Sequence, residues 1–108
     1  MKLGVVIYSD DIETIFNALR IANLALAKGD QVKLFLLGRA VVGERFYKAF
    51  GVFDVSEQIQ AFVERGGEMF ASDVCLKLHG AETREFCPAS TMDDLYRLIA
   101  ESDKVLTF

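Results

Sequence analysis

Leu3-Gly4-Val5-Val6-Ile7-Tyr8 and Val32-Lys33-Leu34-Phe35-Leu36-Leu37-Gly38, with a helical pattern from Glu13 to Lys28 between them, decide the fold of this chain. The first run is apolar without alternation, the signature of a strand covered on both faces. Ser9-Asp10-Asp11 then reads as a turn rich in N-cap residues, Glu13 suits the first turn of a helix, and Lys28-Gly29 stops it. Gln31 to Leu37 is a second apolar strand, ended by Gly38. Strand, helix and strand within about 35 residues form a βαβ unit with parallel strands.

Working outward, Ser56 to Arg65 is expected to be a helix with Ile59, Phe62 and Val63 inward, stopped by Gly66-Gly67. Glu68 to Ser72 is a third strand, Asp73 to Gly80 a short helix, and Thr83 to Phe86 a short fourth strand before Cys87-Pro88. Ser90 and Thr91 are N-cap candidates for a helix over Met92 to Glu101, with Leu95, Leu98 and Ile99 inward. Lys104 to Phe108 is a last strand. The alternation predicts a single three-layer α/β/α domain over residues 1–108, with a mostly parallel sheet of about five strands and helices on both faces. Leu3–Tyr8 belongs near the middle of that sheet. Arg39 to Phe53, with Phe46-Tyr47 and Phe50, reads as a loop with some helix that makes contacts.

Composition narrows the function. The chain has 108 residues, 52% hydrophobic and 26% charged, which suits one compact domain with apolar surface to spare for subunit contacts. The first helix points the same way: Ile15, Phe16, Leu19, Ala22 and Leu26 form its core stripe, and Ile21, Leu24 and Ala25 widen it beyond what one sheet face needs. Twelve basic against sixteen acidic residues leave a net charge of −4 with no basic block, which argues against a nucleic-acid partner. No apolar stretch reaches membrane-spanning length, and the N-terminus lacks a signal peptide's long apolar core. The chain is therefore expected in the cytoplasm, away from the membrane, with its two cysteines reduced.

Ligand chemistry in an open α/β sheet sits at the C-terminal ends of the strands, which here carry Tyr8 to Asp11, Gly38-Arg39 and Ala71 to Cys75. Gly38 to Gly43 lacks the ending of a phosphate loop. Asp10, Asp11 and Glu13 are read as turn and cap residues rather than metal ligands. Cys75, His79 and Cys87 do not have zinc-ligand spacing. Cys75 opens the segment after the third strand, where helical N–H groups favour a thiolate. Lys77 and His79 follow, His79 on the same helical face, and Asp73 opposes them with negative charge. Cys75 is thus a reactive thiol or a packed one, and Cys87 a resolving thiol or a core residue.

Four stretches, in order, resemble the DsrE/DsrF family of small sulfur-handling proteins, which includes the TusD-like relay subunits. Asp11-Ile12-Glu13-Thr14-Ile15-Phe16-Asn17-Ala18-Leu19-Arg20 is similar to its D-x-E-x-x-x-N-A-L-R stretch, and Val32 to Gly38 to its V-x-x-F-L-L-G. Cys75-Leu76-Lys77 and Cys87-Pro88-Ala89-Ser90-Thr91-Met92-Asp93-Asp94-Leu95-Tyr96 resemble the C-L-K and C-P-x-S-T-M-x-D-L-Y of one uncharacterised branch. The resemblance implies an α/β/α domain that assembles as a homotrimer or homohexamer, with Cys75 in the position that carries persulfide sulfur in the relay members. Where the branch reads A-C-G-x-C, this chain has Ala71-Ser72-Asp73-Val74-Cys75, and His79 stands where arginine is frequent. The second thiol of a dithiol exchange is thus absent from that stretch.

The reading that follows is a cytoplasmic sulfur carrier using Cys75, with Lys77 and His79 favouring its anion, sulfur donor and acceptor proteins as partners, and no cofactor. The alternatives are an oligomeric small-ligand-binding module in which Cys75 only packs, and a thiol redox sensor pairing Cys75 with Cys87.

Overall fold

A computed structural model of the chain describes residues 1–43 and 54–108. The aromatic segment at Phe46, Tyr47, Phe50 and Phe53 lies outside the described residues.

Strand β1 (Lys2–Ile7) leads into helix α1 (Ile12–Ala27) and strand β2 (Gln31–Leu36). A short helix α2 (Ala40–Gly43) follows, then helix α3 (Val55–Glu64), strand β3 (Glu68–Ser72) and helix α4 (Asp73–Leu78). The chain closes with strand β4 (Ala89–Ser90), helix α5 (Met92–Glu101) and strand β5 (Lys104–Thr107). The five strands form one sheet in the order β4-β3-β2-β1-β5, and every neighbouring pair is parallel. β1 is interior, flanked by β2 and β5, as its unbroken apolar run requires.

Successive strand residues point to opposite faces, so each strand feeds two cores. Leu3, Val5, Ile7, Val32, Leu34, Leu36, Met69 and Ala71 pack with Ile15, Leu19, Val41, Ile59, Phe62 and Leu76, which places α1 to α4 on one face. Val6 and Phe35 pack with Leu95 and Leu98, so α5 covers the other face. Gly4 belongs to this second face. A Cβ there would lie 2.7 Å from Leu98 Cδ2 and 2.8 Å from Ser102 Oγ, so its missing side chain lets the end of α5 settle on β1.

Local chemistry sets most of the boundaries. Asp11 caps α1 by accepting from the Thr14 N–H, and Asp54 caps α3 through Glu57. Thr91 and Asp94 form a reciprocal capping box that starts α5. Gly29 and Gly66 take positive φ just past α1 and α3, the left-handed exit that favours glycine.

The structure corrects three details. The fourth strand is Ala89–Ser90, not Thr83–Phe86. Arg84 to Cys87 instead closes a turn in which the Cys87 N–H donates to the Arg84 carbonyl, and the Pro88 carbonyl starts the pairing by accepting from the Ala71 N–H. Val63 and Ile99 are exposed rather than inward. Each directly follows a buried residue, Phe62 and Leu98, and one residue turns a helix by about 100°, enough to carry the side chain off the core stripe. Among the described residues, no helix is long and apolar enough to cross a membrane.

The caps have a consequence in acid. The Asp11 and Asp94 carboxyls sit below their ordinary pKa of 3.8, chiefly because they accept the backbone N–H of Thr14 and of Thr91. A depressed carboxylate pKa contributes stability above the ordinary value and loses it as pH falls through the lowered one. Asp94→Ala should therefore lower the melting temperature at pH 7, and its gap from the parent protein should narrow steadily in melts below pH 3.8.

Candidate functional site

Parallel pairing brings the C-terminal ends of β1, β2 and β3 to one edge of the sheet. Ile7 pairs with Leu36, and Leu36 with Ala71, so the residues just beyond them emerge side by side. Leu37 is held there by its N–H donating to the Ile7 carbonyl at 2.8 Å. Arg39 bonds Asp10 at 2.7 Å, tying the end of β2 to the end of β1. That ion pair is largely exposed, so it guides geometry more than it stabilises the fold.

Cys75 lies at the end of β3, in the first turn of α4. Ser72 is the N-cap, and its buried hydroxyl accepts the Cys75 N–H at 3.3 Å. Cys75 as a residue is half-buried and packs against the larger core. Its Sγ accepts the Gly38 N–H at 3.2 Å. The sulfur therefore makes a polar contact as well as apolar ones. Two strand ends thus meet on one thiol.

The other proposed site residues stand further off. Lys77 is exposed, two positions along α4 from Cys75 and hence about 200° round the helix. His79 is the exposed C-cap; it shares the Cys75 side of the helix, and its backbone N–H donates to the Cys75 carbonyl at 3.0 Å. The hydrogen bond on the sulfur comes from Gly38 and not from either of these side chains. Asp73 uses its carboxylate on the Val74 N–H at 2.7 Å. Asp11 serves as the α1 cap and Asp10 as the partner of Arg39.

Cys87 is buried in the same core. No disulfide joins it to Cys75. With Ala71 opposite Ala89, Cys87 lies on the upstream side of β4, whereas Cys75 lies beyond the downstream end of β3. The register therefore draws the two thiols to different levels of the sheet.

Sequence reasoning placed Gly38 at a strand end but did not see its N–H reaching the thiol. The signal was available only in part: a glycine closing an apolar strand marks a backbone position of unusual conformation, but not its neighbour 37 residues away. Ser72 was likewise read as a strand residue, although it also caps the helix that carries Cys75.

Comparison with known proteins adds to this geometry. The model of the DsrE/DsrF-like family matches residues 1–108. The uncharacterised protein MK0008 of Methanopyrus kandleri is 33% identical over 100 residues, covering 89% of this chain and 83% of its own. The uncharacterised protein MJ0989 of Methanocaldococcus jannaschii is 31% identical over 100 residues, covering 89% and 88%. The crystal structure of the ychN protein from E. coli superposes over the whole of both chains with a TM-score of 0.84 at 22% identity, which shows a shared fold.

The difference in burial between the two cysteines yields a direct expectation. At pH 7 an alkylating reagent should modify Cys75 well before Cys87 in the folded protein, and both at similar rates after denaturation. Peptide mapping of the labelled protein reads the order, and equal labelling in the native state would contradict the burial described.

Proposed function

The chain belongs to the DsrE/DsrF-like family, and on that premise we propose that it is a sulfur carrier in which Cys75 takes up and passes on a persulfide sulfur. The observation that supports this reading most is the half-buried residue Cys75 at the strand ends, its sulfur receiving the Gly38 N–H. A carrier thiol must be reachable by a donor, held in place, and able to bear charge. A merely packed cysteine needs none of these.

The chemistry is an exchange without net oxidation. The Cys75 thiolate attacks the outer sulfur of a donor persulfide. A bond from Sγ to that sulfur forms, the donor's S–S bond breaks, and the donor cysteine leaves as a thiolate. The outer sulfur keeps its proton. In delivery an acceptor thiolate attacks the same outer sulfur, and the bonding pair returns to Cys75 Sγ. Lys77 and His79, exposed on α4 and at its end, would meet the partner proteins. No cofactor enters either step. Donor and acceptor are cytoplasmic thiol proteins in this reading.

The carrier works as a homotrimer or homohexamer. α5 buries Leu95 and Leu98 against the sheet yet exposes Met92, Tyr96 and Ile99 at helical spacing on its outer side. α1 exposes Ile21 and Leu24 in the same way. Two apolar stripes on a domain this small are the kind of surface that subunit contacts hide. Light scattering at micromolar concentration should give three or six times the mass of one chain, and Tyr96→Glu or Leu24→Glu should shift it toward monomer.

The carrier chemistry has its own test. Incubation with a persulfide donor, followed by native mass spectrometry, should add about 32 Da, one sulfur atom, to the protein. Cys75→Ser should abolish the adduct, and Cys87→Ser should retain it. An adduct on neither cysteine would leave a small-ligand-binding module as the better reading. A reversible loss of two hydrogen atoms on treatment with a disulfide oxidant, which is itself reduced to thiols, with both cysteines consumed, would favour the redox sensor.

A further inference from the structure

We propose that the Gly38 backbone N–H is the group that holds negative charge on Cys75 Sγ, and that it favours delivery of sulfur over its capture; this rests on the carrier reading above. The N–H lies 3.2 Å from the sulfur. Gly38 reaches that position through a φ of +60°, a conformation that L side chains rarely adopt. Space is not the reason for glycine: a Cβ there would meet nothing closer than the Tyr8 carbonyl oxygen at 3.6 Å. What glycine supplies is the backbone turn that aims the donor.

The turn is held on both sides. Before it, the Leu37 N–H is bound to the Ile7 carbonyl. After it, the Gly38 carbonyl accepts the Val41 N–H at 3.3 Å, and Arg39 is tied to Asp10. The donor is therefore fixed before any sulfur arrives, so no reorganisation is needed when charge develops on Sγ.

Charge sits on Sγ at two moments. In capture Sγ is the attacking thiolate, and in delivery it is the leaving thiolate. A donor that stabilises the thiolate raises its population but lowers its nucleophilicity, so capture gains only part of the effect. Delivery has no such offset, because a better-stabilised thiolate leaves faster. Gly38 thus tilts Cys75 toward giving sulfur away. Among the described residues, the charged or titratable side chains on the adjoining segments include Asp73 and Lys77 of α4, His79 at its C-cap, the Asp10–Arg39 pair at the ends of β1 and β2, and Glu82, Arg84 and Glu85 before β4. All of these remain unchanged in the variants below.

The test is the series Gly38→Asn, Gly38→Ala and Gly38→Val. Asparagine tolerates positive φ, alanine is strained there, and valine is strained most. Asparagine and valine are close in size, so the series separates backbone conformation from bulk. Each variant is loaded with a persulfide donor, and cyanide then releases the outer sulfur as thiocyanate. Delivery should rank parent and Gly38→Asn first, then Gly38→Ala, with Gly38→Val slower by about tenfold, the weight of one hydrogen bond to a charged acceptor. Capture should keep that order but fall by only about threefold, the partial dependence expected of an attacking thiol.

Rates that follow side-chain size, with Gly38→Ala ahead of Gly38→Asn, would overturn the proposal. So would equal slowing of capture and delivery, which would mean general loosening. Circular dichroism checks that each variant folds, and the contrast of Gly38→Asn with Gly38→Ala stands even if valine is not tolerated. If the parent protein captures no sulfur, the carrier reading fails and iodoacetamide still reads the N–H. The same order should appear in iodoacetamide labelling at pH 7. The absence of that order would refute the role of Gly38.

Discussion

The parallel register of β1, β2 and β3 is the constraint on which the rest of the molecule depends. Because Ile7, Leu36 and Ala71 are successive partners across the sheet, the segments that leave these strands start at the same level. That alignment puts the turn at Gly38 beside the helix that starts at Ser72. A register slip of one residue would turn every strand side chain to the opposite face. It would exchange the two cores and separate the Gly38 N–H from the Cys75 sulfur. The apolar burial that sets the register, worth about 1.5–3 kcal/mol for each large side chain, is therefore also what assembles the site.

The two faces of the sheet are unequal. Among the described residues, four helices close one face over a core that includes the fully buried Phe62, Ile15 and Leu34, while α5 alone packs on the other. Cys75 and Cys87 both belong with the well-covered face, whose packing holds α4 and its sulfur in place. The thinly covered face carries the exposed stripe of α5. Rigidity is thus concentrated where a reacting atom needs it, and spare apolar surface where a subunit contact would use it.

Much of this was legible in residue pattern because the forces involved are local or simply periodic. An unbroken apolar run marks an interior parallel strand, and Asp11, Thr91 and Asp94 mark helix starts because a short oxygen-bearing side chain satisfies the first free N–H groups. Gly29 and Gly66 mark helix exits for an equally local reason. The misreadings came where tertiary context outweighs local preference. Thr83 to Phe86 has strand-like residues, but strand pairing begins only after Pro88, where the Ala71 N–H finds its acceptor. Val63 and Ile99 are apolar and helical, yet each lies about 100° round its helix from the buried Phe62 or Leu98, off the stripe that the tertiary packing covers.

The candidate site divides along the same line. Cys75, Lys77 and His79 stand together in the chain, so the sequence by itself could mark a thiol after a strand, with basic groups close behind, in a chain whose motifs resemble a sulfur-handling family. It also determined the parallel α/β architecture, since hydrophobic periodicity and cap chemistry depend only on near neighbours. Which group touches the sulfur was decided only in three dimensions. Gly38 and Cys75 lie on different strand ends, 37 residues apart, and their meeting at 3.2 Å depends on strand register and a positive φ that no local pattern specifies. The level of Cys87 relative to Cys75 was decided in the same way, because long-range pairing, not spacing along the chain, sets which ends of a sheet come together.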